Sequence, residues 1–146
     1  MLRGNALAKV DDKGRLKLPS AYRSILVPRY GKEFFVTSLR GDCVQIIPLE
    51  VYTALEEQML GSSMVEPKVN KLRRTLSFYG QMATMDGQGR ILVHPLLRER
   101  TGVDGEVCVF GYQNHLQVWN RSRVEKAIDE DPLTDDELAE LASLGF

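Results

Sequence analysis

Two short segments of this chain carry the residue types best suited to chemistry. In the first, Asp11 stands four positions before Arg15, with Gly14 directly ahead of the arginine. In the second, Asp86 stands four positions before Arg90, with Gly89 in the matching place. Each glycine predicts a backbone position with positive φ, closing a tight connection between two strands. An aspartate opening such a turn accepts hydrogen bonds from the N–H groups just ahead of it. Asp11, Gly14, Asp86 and Gly89 are therefore expected to be structural. Arg15 and Arg90 then start the following strands, where two roles stand open. They pair with those carboxylates, or they point outward, where a planar guanidinium suits phosphates and guanine edges. Lys13 and Lys17 alternate with Arg15, and alternate residues of a strand share a face. The first copy thus predicts a basic stripe. In the second copy Gln88 and Leu92 replace the lysines, so the first is the better candidate for holding a polyanion.

The overall charge hides this asymmetry. The chain has 146 residues and a formal net charge of −1. Residues 1–30 hold seven basic residues (Arg3, Lys9, Lys13, Arg15, Lys17, Arg23 and Arg29) against Asp11 and Asp12, a net of +5. Residues 121–146 hold three basic against eight acidic residues, a net of −5. A polyanion responds to the local field more than to the sum. Catalysis finds little support. His94 and His115 are the only histidines, and neither has a recognisable nucleophile–base context. With Cys43 and Cys108 they lack zinc-type spacing, and Gly87-Gln88-Gly89 is too short for a phosphate loop. No enzyme activity, metal, cofactor or small-molecule substrate is expected. The two cysteines fit a reducing cytoplasm, and no apolar run approaches the roughly 20 residues that span a bilayer.

The elements that must position these residues repeat along with them. Residues 10–23 and 85–98 match at a constant offset, with Leu16 and Leu18 meeting Ile91 and Val93. Pro19 falls on His94 instead of on Pro95. A short helical turn follows each copy, with Tyr22, Ile25, Leu26, Leu96 and Leu97 expected as core anchors. Arg23 and Arg98 sit in those turns, open to phosphate contact or to ion pairing. Next comes a hairpin in each half, with turns at Arg40-Gly41-Asp42 and at Gly111–Asn114, then a helix. Pro48 suits a first helical position, with Leu49, Tyr52, Leu55 and Met59 on one face. After a break at Gly61-Ser62-Ser63, a helix from Pro67 carries Val69, Leu72 and Leu76 on one side and a basic cluster, Lys68, Lys71, Arg73 and Arg74, that reads best as a solvated face. Thr134 and Glu137 form a capping box ahead of Leu138, Leu141 and Leu144. The divisions expected are a first repeat over 1–60, a helical linker over 61–79, a second repeat over 80–128 and an acidic C-terminal helix over 129–146.

Arg3-Gly4, the run from Val10 to Arg23, its second copy from Asp86 to Val93, and Arg73-Arg74-Thr75-Leu76 leading into Gly80 resemble the MraZ family of bacterial transcription regulators. That family lies within the wider AbrB-like group of swapped-hairpin DNA-binding proteins. The resemblance covers essentially the whole chain. It implies an α+β, mainly β fold: a swapped-hairpin barrel built from two internal repeats with flanking short helices. It further implies ring-like homo-oligomers that bind double-stranded DNA at short direct repeats ahead of the cell-division and cell-wall gene cluster. A cytoplasmic, nucleoid-associated location follows from that role. The DNA-binding candidates are Arg15, Lys13, Lys17, Arg3, Lys9, Arg23 and Arg90. The alternative is an antitoxin-like protein-binding module that acts through the acidic C-terminal helix.

Overall fold

The computed structural model describes residues 1–61 and 66–146, so Ser62 and Ser63 of the expected break lie outside the described residues. The first half runs β1 (Asn5–Val10), β2 (Arg15–Lys17), α1 (Ser20–Tyr30), β3 (Glu33–Thr37), β4 (Val44–Pro48) and α2 (Leu49–Gly61). The second runs α3 (Pro67–Tyr79), β5 (Gln81–Thr84), β6 (Arg90–Leu92), α4 (Pro95–Thr101), β7 (Gly105–Tyr112), β8 (His115–Asn120) and α5 (Arg121–Glu130). A short α6 (Asp135–Glu140) and a 3₁₀ turn at Ala142–Leu144 end the chain.

All eight strands join one sheet in the order β5-β3-β4-β8-β7-β1-β2-β6. Its two edge strands, β5 and β6, are consecutive in sequence, so the sheet curls into a nearly closed barrel. The pairing exchanges strands between the halves. β1 pairs antiparallel with β7, from Asn5 opposite Phe110 to Val10 opposite Gly105. Reciprocally, β5 pairs with β3, from Glu33 opposite Thr84 to Val36 opposite Gln81. β2 and β6 pair with each other about Leu16 opposite Ile91, which puts a pseudo-two-fold axis between the motif strands. Neither half can complete its sheet alone.

Alternation explains the interior. Leu16, Leu18, Ile91 and Val93 are at most 1% exposed, and they meet Val36, Ile46, Val109 and Val118 inside the barrel. α1 covers one end with Tyr22 and Leu26, and α4 covers the other with Leu97. β4 departs from alternation, since all five residues are buried. Val44 and Ile46 face the barrel, while Ile47 faces outward and joins a second small core with Tyr52 and Leu76 beneath α2 and α3. Phe35 stacks on Tyr52 there, with ring centroids 4.0 Å apart.

Several local expectations change. The segment after β2 is an eleven-residue helix, not a single turn, with Pro28 in its last turn where only one helical hydrogen bond is forfeited. Ile25 lies on the open side of that helix at 37% exposure and is not a core anchor. Pro48 ends β4, and helical geometry begins one residue later. β7 runs on through Tyr112, leaving Gln113 and Asn114 as the turn; Gln113 takes φ 52°. Trp119 is half-buried and donates through Nε1 to Gln117 Oε1 at 3.1 Å. No helix among the described residues is long and apolar enough to cross a membrane.

Candidate nucleic-acid interface

The two motifs build turns with the same hydrogen-bond pattern. Asp11 Oδ1 accepts from the N–H groups of Lys13 (3.0 Å) and Arg15 (2.9 Å), and Asp86 Oδ1 accepts from those of Gln88 and Arg90 (2.9 Å each). Backbone bonds close each turn, from Gly14 N–H to Asp11 O and from Gly89 N–H to Asp86 O, both 3.0 Å. The glycines take φ of 83° and 77°, which an L side chain rarely adopts. Each motif arginine donates Nε to the other oxygen of its aspartate, Arg15 to Asp11 at 2.8 Å and Arg90 to Asp86 at 2.7 Å. The two roles open for these arginines are thus combined. Pairing uses the Nε edge and leaves the terminal guanidinium nitrogens available on partly exposed side chains. The backbone N–H of the arginine, more than its charge, holds each aspartate carboxyl below the usual carboxylate range.

Register then decides which charges gather. In the β2–β6 ribbon Leu16 and Ile91 face inward, so Arg15, Lys17, Arg90 and Leu92 face outward together. Lys17 lies directly opposite Arg90, and Arg15 lies opposite Leu92. Like charges opposed in a sheet repel, and the Asp86 carboxylate offsets that repulsion for Arg90. Lys9 is exposed on adjacent β1, and Lys13 is exposed at the turn. Lys9, Lys17 and Arg23 line one cleft of about 330 Å³ with Leu7 and Pro19. That cleft gathers three cations and no carboxylate.

This arrangement resolves the remaining candidates unequally. Arg23 is half-buried and forms no ion pair among the described residues; its Nε donates to Leu18 O at 3.0 Å. Its guanidinium packs on the turn of the other repeat, where a β-carbon at Gly89 would lie 2.5 Å from Nη1. Arg98 packs the same way on the first turn, and a β-carbon at Gly14 would lie 2.6 Å from its Cζ. Sequence reasoning missed this reciprocal crossing. The two differ at Nε: that of Arg98 is buried without a hydrogen-bond partner among the described residues, whereas that of Arg23 has Leu18 O. Arg3 stands apart from the cluster. It precedes β1 at the end opposite the Asp11 turn, beside the Leu2–Gln113 bridge, roughly 20 Å away by the rise of a strand.

Comparison with known proteins decides the family. Over all of its length the chain is 37% identical to the transcriptional regulator MraZ of Acidobacterium capsulatum, and the match also covers all of that protein. It is 34% identical, again over the whole of both chains, to the protein of the same name from Koribacter versatilis. The chain belongs to the MraZ family. MraZ of Escherichia coli K12 is more distant, at 30% identity over 96% of this chain and 95% of its own. The family model described as "MraZ protein, putative antitoxin-like" matches residues 80–141, which takes in the second motif, α5 and α6. The MraZ relatives thus run parallel to both repeats, including the weakly basic second one.

Proposed function

We propose that this chain is a sequence-specific DNA-binding transcriptional regulator that grips duplex DNA with the outward face of β1, β2 and β6. The carrying observation is the β2–β6 ribbon, where Arg15, Lys17 and Arg90 share one exposed face and both arginines are aimed by an aspartate on the Nε edge. A two-stranded ribbon fits the major groove, about 12 Å wide, and a guanidinium held in fixed orientation reads a guanine edge better than a free one. Lys9, Lys13 and the terminal nitrogens of Arg23 flank the ribbon as phosphate contacts, which position without carrying sequence information. Arg3, at the far end of β1, reaches a neighbouring phosphate only if the duplex runs along that strand.

A single face of this size binds weakly, with non-specific dissociation constants on the order of 10⁻⁴ to 10⁻⁶ M. Several copies in a closed homo-oligomer convert later contacts into intramolecular ones and raise avidity roughly 10²- to 10⁴-fold. Such an assembly prefers repeated boxes. On the family resemblance these are the direct repeats ahead of the cell-division and cell-wall gene cluster, and the site of action is the nucleoid in the cytoplasm. The test is a fluorescence-anisotropy titration of promoter DNA at several salt concentrations. Arg15→Ala is expected to weaken binding about tenfold or more and to flatten the preference for the repeats. Unchanged affinity and preference in a folded variant would remove Arg15 from the interface.

A further inference from the structure

The acidic C-terminal segment carries a row of leucines that nothing among the described residues covers. α6 is only six residues long, and every residue from 125 to 146 is exposed. Its capping box is complete, with Thr134 and Glu137 each accepting the other's backbone N–H at 3.1 Å. So short a helix is marginal in water without packing, even when well capped. Leu138, Leu141 and Leu144 nevertheless stand in solvent at 45%, 42% and 68% exposure. Asp135, Asp136 and Glu140 form no ion pair among the described residues.

A surface of matching character lies on the far side of β4. α2 and α3 flank an open trough of about 510 Å³ whose floor is Ile47, Tyr52 and Leu76 and whose rim includes Leu39, Leu55 and Leu72. The trough continues past Leu39 into a second depression of about 470 Å³ that holds Arg40, Arg74 and Arg100 beside Phe78. Arg100 is fixed there, donating Nη1 to Tyr79 Oη at 2.9 Å with its guanidinium 6.0 Å from the Phe78 ring centroid. None of the three arginines has a carboxylate partner among the described residues. The surface is thus apolar at one end and cationic at the other. The tail has the complementary order, with acidic residues at 135–137 and leucines at 138, 141 and 144.

We infer that the acidic C-terminal segment of one copy docks on the α2–α3 surface of a second copy, its leucines in the apolar trough and its carboxylates on Arg40, Arg74 and Arg100. Within one chain the two halves of this contact stay apart, both open to solvent. Between copies the contact is heterologous, one patch meeting a different patch, which is the kind of interface that propagates around a ring. The inference rests on the homo-oligomer proposed above and names its interface.

Light scattering and sedimentation velocity of three full-length proteins test it: the unaltered chain, the tail variant Leu138→Ser/Leu141→Ser/Leu144→Ser, and the trough variant Leu72→Glu. The altered side chains are exposed, so circular dichroism should match throughout. The expected result is a large assembly for the unaltered chain and about a tenfold or greater rise in the subunit dissociation constant for both variants. Unchanged assembly in the tail variant overturns this interface but leaves the homo-oligomer standing. A monomeric unaltered chain overturns the oligomer and the docking together. A photocrosslinker at position 141, in a mixture of isotopically light and heavy copies, gives a second readout. Mixed-isotope links to α2 or α3 support the inference, whereas links within one chain, or to other elements, overturn it.

Discussion

The two repeats share a backbone device and differ in what they present around it. Asp11 and Asp86 organise the same turn, Gly14 and Gly89 take the same positive φ, and Arg15 and Arg90 make the same Nε pair. At the three surrounding positions the first repeat has Lys9, Lys13 and Lys17, and the second has Thr84, Gln88 and Leu92. Interior differences are compensated. Tyr22 Oη donates to Gly4 O at 2.9 Å, holding the carbonyl that precedes β1. The matching carbonyl, Tyr79 O, lies 2.7 Å from His94 Nε2, and Leu97 occupies the place of the tyrosine. His94 is thus the donor that replaces Tyr22, which accounts for a histidine where the first repeat has Pro19. The lesson is that the shared turn builds the barrel, while charge around it is free to specialise. Two copies of one motif need not perform one task.

The comparison is sharpest at the shared core. Leu16→Ala and Ile91→Ala should each destabilise the fold by about 3 kcal/mol, since both side chains are fully buried at the pseudo-two-fold axis. Urea unfolding checks this, and a difference much beyond about 1 kcal/mol would break the equivalence of the repeats. Gly14→Ala and Gly89→Ala should each cost about 2 kcal/mol, combining left-handed backbone strain with displacement of Arg98 or Arg23. Here too the repeats should agree, because Arg98 and Arg23 crowd the two glycines equally, at 2.6 and 2.5 Å from the added β-carbon. The carbonyl anchors carry a smaller effect. Tyr22→Phe and His94→Ala should each lose about 1 kcal/mol, with the histidine variant somewhat worse for its buried cavity.

Acid should act on both turns alike. The folded carboxyls of Asp11 and Asp86 titrate below their ordinary value of 3.8. Their stabilising effect is therefore complete above that value and is lost as pH falls through the lower folded values. The Asp11→Asn/Asp86→Asn variant should show a shallower loss of stability below about pH 4, measured as the urea midpoint against pH. An unchanged slope would mean that the acid response arises elsewhere.

Much of this was legible because the motif is dense in residues with one physical use. Glycine before arginine gave the positive φ, and alternation gave the shared face of Arg15 and Lys17, whereas Lys13 lies in the turn ahead of β2 and not on the strand. The exchange of strands came from family resemblance, since periodicity does not say which strand pairs with which. Nothing local could reveal that Arg23 and Arg98 cross to the opposite turns, because that contact joins segments far apart in the chain. Ile25 misled because its spacing from Tyr22 fits a buried face, whereas Leu26 is the residue that α1 turns inward.

The central proposal is that the lysines of the first repeat, set around the β2–β6 ribbon, supply most of the chain's hold on DNA. It is tested most directly by giving that repeat the residues of the second, as Lys9→Thr/Lys13→Gln/Lys17→Leu, and titrating promoter DNA across salt concentrations. At least a hundredfold loss of affinity is expected, with a fall of roughly 2 to 3 in the slope of log K against log salt for each subunit engaged. Affinity and slope equal to those of the unaltered protein, in a variant that still folds and assembles, would contradict it.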